Sequence, residues 1–453
     1  MHPDDGLARE GRSPGDGGAE PFAAPFPESA AGLVKGVAGG PPGPQPEAGA
    51  EAEAEDARPS WWIYQGTGRP LTGASLGELL PPPPPWRRFQ GTPVLPPPPS
   101  DDEEIERRLG RFAQLTTTSR QARREADMVN AALHLRRPLL VTGRPGTGKS
   151  ALAYRISREL RLGRVLRWHI TSRTTLRAGL YEYDAIGRVQ DSAALRAREP
   201  EAGPPQSAGL TPNGRTVNGG SGPPAGYTAP GAGDPLPGIG DYVQLGPLGT
   251  ALLAHEAPRI LLIDELDKSD QDLANDLLSV FEEGQFAVPE LVRVRRREPR
   301  VTVMTDDPHG SADVVGGVVH CRAFPIVVIT SNGEREFPPA FLRRCLRLRM
   351  PDPDRSQLVD MVAAHLTRSA VSGPGTEDLI TRFLQRSRER GGLAVDQLLN
   401  SVFLATSGRL TEGPEEYGPG GDGTVGDRQE ALQELVEALW HRLDGAEEEA
   451  GPG

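Results

Sequence analysis

The stretch Gly143-Arg144-Pro145-Gly146-Thr147-Gly148-Lys149-Ser150 narrows what this chain can become more than any other. Its spacing, G-x-x-x-x-G-K-S, belongs to a loop whose backbone N–H groups close around phosphate oxygens at the start of a helix. The flanks supply the required context. An apolar run, Pro138-Leu139-Leu140-Val141, precedes the loop, and a helix-compatible run, Ala151-Leu152-Ala153-Tyr154-Arg155-Ile156, follows it. In such a loop the helix N-terminus adds partial positive charge, Lys149 reaches the β- and γ-phosphates, and Ser150 holds Mg²⁺. Composition sharpens the point, because only Lys35, Lys149 and Lys268 among the 50 basic residues are lysines. A chain that otherwise uses arginine has the compact ammonium here, where a planar guanidinium fits a phosphate less well.

At 453 residues the chain is long enough for two or three domains. The net charge of −12 is concentrated at the front: residues 1–104 carry sixteen acidic and seven basic side chains. The remainder is near neutral, which argues against a constitutive nucleic-acid binder. The two cysteines, Cys321 and Cys345, are too few for a disulfide framework and lack metal spacing, so they read as core residues of a reducing compartment. No apolar run reaches the length of a membrane span, and Met1-His2-Pro3-Asp4-Asp5 lacks the marks of a secretory signal. The expectation is a cytoplasmic protein with no membrane association.

Residues 1–104, rich in Pro, Gly, Ala and acid, are expected to be a disordered tail, with proline runs at 81–85 and 96–99 as extended spacers. Two aromatic islands, Trp61-Trp62-Ile63-Tyr64 and Trp86-Arg87-Arg88-Phe89, either dock on the body or a partner or do nothing specific. Helices are expected from Asp101 through Leu109 and from Ser119 to Leu135. Five strands follow: Pro138–Thr142, Arg164–Ile170, Arg259–Glu265, Phe324–Thr330 and Cys345–Met350. They are separated by helical stretches, which makes a three-layer α/β core over 105–350. Within it, 191–240 is a low-complexity insertion, and 286–320 contains short β-rich pieces (Leu291–Val294, Arg300–Met304, Val314–His320) that suggest hairpins. From 351 to 445 the apolar spacing is helical throughout, forming a small separate bundle. Its last helix is capped by Asp427 with Glu430 three residues on. Residues 446–453 are again expected to be disordered.

Phosphate cleavage needs a metal holder and a group that activates water. Asp264 and Glu265 close a continuous apolar strand at the carboxyl edge of the sheet, where open α/β sheets bind ligands. Asp264 suits the Mg²⁺ shell and Glu265 the attacking water. Thr330-Ser331-Asn332 ends the fourth strand and can present a polar side chain between these acids and the γ-phosphate. The pair Arg343-Arg344 is either a solvated helix end or, in an oligomeric ATPase, a finger reaching a neighbour's γ-phosphate.

Together these segments resemble an AAA+ ATPase, and within that class the MoxR branch, particularly the MoxR-like ATPases of bacterial conflict-type gene clusters. Gly246-Pro247-Leu248-Gly249, shortly before the Asp-Glu strand, fits the G-P-L motif of that branch. The resemblance covers about residues 119–405. It implies a P-loop core with a parallel sheet of order 5-1-4-3-2, a helical lid, and inserts where 173–244 and 286–320 lie. It implies ATP and Mg²⁺ as cofactors, with Gly143, Arg144, Pro145, Gly146, Thr147, Gly148, Lys149, Ser150 and Ala151 around the nucleotide (Walker A). Ser150 and Asp264 would hold the metal (Walker B for Asp264 and Glu265), with Asn332 as sensor 1. Arg344 is the better match to the finger position, with Arg343 the alternative. The resemblance further implies a homo-oligomer, a hexameric ring, that remodels a protein client, often a von Willebrand factor A domain protein. One departure stands out: Gly392–Leu398, where a sensor 2 arginine is usual, has none, leaving Arg388 or Arg390 as substitutes. Two other readings are a nucleic-acid-directed motor, using Arg293, Arg295, Arg296, Arg297 and Arg300, and a slow nucleotide-gated switch or scaffold.

Overall fold

A computed structural model describes residues 59–110, 120–198, 237–366, 374–390, 393–406, 434–436 and 438–440. Its centre is a five-stranded sheet. In chain order its strands are β1 (Leu139–Thr142), β2 (Leu166–His169), β5 (Ile260–Asp264), β10 (Ile326–Ser331) and β11 (Leu346–Arg349). They lie side by side as β11-β1-β10-β5-β2, and every pairing is parallel. In terms of the five expected strands this is 5-1-4-3-2. The three central strands are buried along their length except at Thr142, since helices or a second sheet cover both faces. Alternation then sorts the residues: Leu140, Leu261, Ile263, Val327 and Ile329 face one core, and Leu139, Val141, Ile260, Leu262 and Val328 face the other.

The second core holds α1 (Asp102–Leu109), α2 (Arg120–Leu135) and α3 (Lys149–Leu160). Asp101 caps α1 by accepting from the Glu104 amide, and three acids follow in the first turn. The first core holds α4 (Leu176–Leu180), α6 (Pro247–Ala251) and α7 (Gln271–Glu283), backed by a second sheet. That sheet has six strands in the order β3-β4-β7-β8-β9-β6. They are β3 (Tyr181–Tyr183), β4 (Val243–Leu245), β6 (Gln285–Ala287), β7 (Arg300–Met304), β8 (Ser311–Val315) and β9 (Val318–His320). The hairpins expected in 286–320 form, since β7 pairs antiparallel with β8 and β8 with β9, and β3 pairs antiparallel with β4, but the two inserts do not stand apart. β4 pairs in parallel with β7 through Gln244 and Met304, and joins them into one layer.

Three further expectations change. Leu291–Val294 is not β: it belongs to α8 (Pro289–Val294), begun by a proline at its first turn and anchored by the buried Leu291. The low-complexity stretch expected over 191–240 begins as helix, since α5 (Ala185–Arg198) runs into it, and from 237 it leads through a short helical turn at Ile239–Tyr242 into β4; residues 199–236 lie outside the described residues.

The largest change concerns residues 59–104. The expected disordered tail covers 1–104, of which 1–58 lie outside the described residues, but 59–104 is a strap packed on the α/β body. Ile63, Tyr64 and Leu76 are buried in the second core. An extended strap has no ladder of its own, so side chains of the body satisfy its backbone. The buried Asn130 of α2 accepts from the amides of Ile63 (2.7 Å) and Tyr64 (3.0 Å) and donates to the Tyr64 carbonyl (2.7 Å). Glu159 of α3 accepts from the Gln65 and Gly68 amides. Farther along, the buried Arg87 donates to the Phe281 carbonyl and lies 5.2 Å over the Phe324 ring. Proline, which has no amide to satisfy, suits this path. The Pro99 carbonyl accepts from the Arg164 amide at 2.9 Å.

Before β11, α9 (Pro339–Arg344) carries the paired arginines; beyond it lie α10 (Arg355–His365), α11 (Pro374–Arg390) and α12 (Val395–Thr406). Leu358, Val362, Ile380, Phe383, Leu398 and Val402 form their own core, which Val436 and Trp440 complete. The Asp427–Glu430 cap and residues 446–453 lie outside the described residues.

Candidate functional site

The phosphate loop bridges the end of β1 and the start of α3. Gly146 and Gly148 have φ of 76° and 83°, in the left-handed region that side chains rarely adopt. A Cβ on Gly148 would meet no atom within 4 Å, so the loop's mouth is open there, whereas one on Gly146 would sit 2.5 Å from the Ala394 Cα. The loop therefore abuts the helical unit. Lys149 is buried, and its Nζ donates to the carbonyls of Gly143 (2.9 Å) and Arg144 (2.7 Å). Burial pulls its pKa down, against the pull of Asp267, Asp264 and Glu265. Thr147 closes the loop by donating from Oγ1 to the Arg144 carbonyl, and Arg144 pairs with Asp352 at 3.1 Å.

Ser150 and Asp264, 114 positions apart, meet at 2.6 Å, the serine hydroxyl donating to Asp264 Oδ1. β5 delivers the carboxylate at its carboxyl end, directly beside the start of α3. Asp264 is nearly fully buried and takes two more hydrogen bonds, from Thr330 Oγ1 (2.8 Å) and from Arg167 (2.8 Å). Burial alone would raise its pKa, but the bonds from Ser150, Arg167 and Thr330 outweigh it and hold the carboxyl below its usual range. Glu265 has φ 63° and ψ 47°, an uncommon conformation for a side-chain-bearing residue. Its amide donates to Thr330 Oγ1 at 2.9 Å. Its carboxylate pairs with Lys268 Nζ at 2.8 Å and stands 4.0 Å from His169 Nδ1. Backbone strain of this kind gathers at working sites.

The remaining expected site residues fall in different places. Asn332 is fixed through its amide, which donates to the buried Asp267 at 2.9 Å, while its side chain turns to Glu334 at 3.4 Å. Thr330, two residues earlier, is the β10 side chain that touches both acids. Arg344 donates from Nε to Glu282 Oε1 at 3.0 Å, and the same oxygen pairs with Arg87 of the strap at 3.4 Å. Arg343 is exposed, and its carbonyl accepts from Arg137. The hydrogen bonds of this pair thus run to α7 and to the turn between α2 and β1. The side chains of Arg388 and Arg390 lie outside the described ones. Sequence reasoning missed Thr330, Arg167 and Asp267 as members of the site. Arg167 shows only as the polar member of an alternating edge strand, Leu166-Arg167-Trp168-His169.

Two recesses meet the loop. One of about 400 Å³ lies between Arg144–Thr147, Asp352–Asp354 and α11. The other, of about 200 Å³ and mostly apolar, is lined by Leu109, Gly146, Gly148, Ala151, Met361, Ala364, Val395 and Leu399. Among the described residues no group of three or more His, Cys, Asp or Glu gathers as a metal cage. One hydroxyl and one carboxylate, both hard oxygen donors, fit instead a Mg²⁺ that keeps waters and phosphate oxygens. No helix among the described residues is long and apolar enough to cross a membrane.

Residues 138–345 match the family described as "AAA domain (dynein-related subfamily)". An AAA domain of that subfamily is therefore present. No curated protein matches the chain. Solved structures that resemble it include NtrX from Brucella abortus in complex with ADP, at 14% identity and TM-score 0.35. That match covers 74% of this chain, which spans 64% of the NtrX chain. PCH-2 from C. elegans matches at 12% identity and TM-score 0.30, covering 74% of this chain and 70% of that one.

Proposed function

We propose that this AAA domain protein is an ATPase of the MoxR-like kind, which binds and hydrolyses Mg-ATP in an oligomeric ring to remodel or activate a protein partner. The contact between Ser150 and Asp264 carries the reading: it joins the phosphate loop to the metal-binding acid with Glu265 one residue on. The open glycine cradle and Lys149 would receive the phosphates. Lys149 now donates to two loop carbonyls, bonds that a phosphate oxygen would replace with charge-assisted ones. The small apolar recess beside Ala151 suits a nucleobase, with Leu109 and α12 as its walls. Bound Mg²⁺ would neutralise charge on the transferring phosphoryl group. Glu265 would accept a proton from water once released from Lys268.

Hydrolysis in trans is part of the same proposal. Arg344 and Arg343 sit at the end of α9, away from their own loop's contacts, where a neighbouring protomer's nucleotide would be within reach only in an assembly. A hexameric ring, a von Willebrand factor A domain client, a role in bacterial conflict and a cytoplasmic setting complete the reading, and the MoxR resemblance is what supports them. A nucleic-acid-directed motor is a second reading, supported by the exposure of Arg293 on α8, Arg295, Arg296 and Arg297 in the turn after it, and Arg300 at the start of β7.

The test uses the Glu265→Gln and Lys149→Ala variants. Glu265→Gln should keep ATP bound while lowering turnover at least roughly 100-fold, the scale of general-base catalysis. Lys149→Ala should lose ATP binding. Parent-like hydrolysis by Glu265→Gln would sink the assignment. Stimulation of turnover by DNA or RNA, with binding that falls steeply in salt, would favour the motor instead.

A further inference from the structure

Asp264 carries more partners than a metal-binding carboxylate needs. Oδ1 accepts from two neutral hydroxyls, Ser150 and Thr330, and Oδ2 accepts from the Arg167 guanidinium at 2.8 Å. Arg167 comes from β2, the edge strand, on which Leu166 and Trp168 turn inward while Arg167 and His169 turn out. The pair is asymmetric: the Asp264 side chain is 6% exposed and that of Arg167 is 37% exposed. A carboxylate so buried is costly unless a positive charge stands beside it. Arg167 is the only cation bonded to it among the described residues.

Mg²⁺ arriving with a nucleotide brings a second cation to the same carboxylate. Two cations cannot share one buried carboxylate without mutual repulsion, which is strong where water is scarce. The half-exposed arginine is the partner free to leave, since Asp264 is fixed at the end of a central strand.

We propose that Arg167 is a positioning residue that holds Asp264 as a resident counter-cation and must yield it to Mg²⁺, so that this arginine sets the Mg²⁺ requirement of nucleotide binding. Arg167 keeps the acid paired and aimed at Ser150 while no metal is bound. The proposal rests on the ATP reading above, and its consequence is specific to the metal. A merely structural role would weaken nucleotide binding equally with and without Mg²⁺. A displaced counter-cation lowers the Mg²⁺ midpoint when it is removed.

The experiment titrates the full-length protein with a fluorescent N-methylanthraniloyl ATP, first in EDTA and then over a range of Mg²⁺ concentrations. Parent, Arg167→Gln and Arg167→Lys are compared. Arg167→Gln should lower the Mg²⁺ concentration for half-maximal tightening about tenfold, equivalent to about 1.4 kcal/mol, each midpoint being read against that variant's own affinity in EDTA. Arg167→Lys, whose hydrated ammonium lacks the planar fork, should fall between the two, and its shift decides the matter if the glutamine variant does not fold. An unchanged or raised Mg²⁺ midpoint in the variants overturns the proposal while leaving the ATP reading intact. A parent that binds no nucleotide even at saturating Mg²⁺ overturns both.

Discussion

Replacing Asn130 with alanine tests whether the strap is part of the fold. Asn130 is fully buried in α2 and makes three hydrogen bonds to strap backbone: from the Ile63 and Tyr64 amides and to the Tyr64 carbonyl. Alanine would leave three buried backbone groups without partners, each costing about 1–3 kcal/mol. The minimum expected loss is therefore about 3 kcal/mol, and the cheaper alternative is for the strap to peel away. Peeling would expose Ile63 and Tyr64 and free Tyr64 from Glu125, which its hydroxyl bonds at 2.9 Å. Limited proteolysis, followed by mass spectrometry, should show new cleavage within 59–100 in Asn130→Ala, alongside a lower melting temperature. A deletion of residues 1–100 closes a thermodynamic cycle: without the strap, Asn130→Ala should cost little, because the groups it serves are gone. If the substitution changes stability by less than about 0.5 kcal/mol in the full chain, or costs the same with and without the strap, the reasoning is wrong.

Three further outcomes are expected. Gly146→Ala places a methyl against Ala394, so the melting temperature of the nucleotide-free protein should fall further than in Gly148→Ala, which shares the left-handed strain but whose added methyl meets no atom within 4 Å; equal losses would refute the loop–lid contact. His255 is buried, and burial, then nearby Arg259, lowers its pKa from 6.5 to about 4. The unfolded chain therefore takes up a proton below about pH 6.5 that the fold refuses until about pH 4. Stability should fall across that window by up to about 3 kcal/mol, and a melting-temperature profile that keeps its slope in His255→Leu would contradict this. Glu282→Gln loosens Arg344 and Arg87 at a half-exposed site, so stability should change by less than about 1 kcal/mol. The protein concentration at half-maximal ATPase should nevertheless fall as the finger is freed, and an unmoved concentration dependence would count against Arg344 as that finger.

The phosphate loop, the Asp264-Glu265 strand end and the five core strands were legible in the sequence because each depends on local pattern. A G-x-x-x-x-G-K-S spacing needs its own glycines and lysine. A strand covered on both faces, such as Ile260–Asp264, must be apolar throughout. What depended on distant partners was not legible. Residues 59–104 have the composition of a disordered tail, and groups distant in sequence, among them Asn130 and Glu159 some 60 to 95 positions away, supply the bonds that let the strap settle. Leu291–Val294 has β-forming residues, but a leading proline and the buried Leu291 make it a helix. Thr330 rather than the Asn332 side chain meets Asp264 and the Glu265 amide, because the β10–β5 register sets Ile329 opposite Ile263, and so Thr330 beside Asp264, while Asn332 lies past the end of the strand. Arg167 shows the same limit most plainly. In sequence it is one arginine among many, and only the parallel pairing of β2 with β5 sets it on the buried carboxylate. Local chemistry thus determined that this chain would hold a phosphate loop and its acids. Tertiary packing decided which side chains surround them, because those neighbours are brought together by sheet register and burial rather than by spacing along the chain.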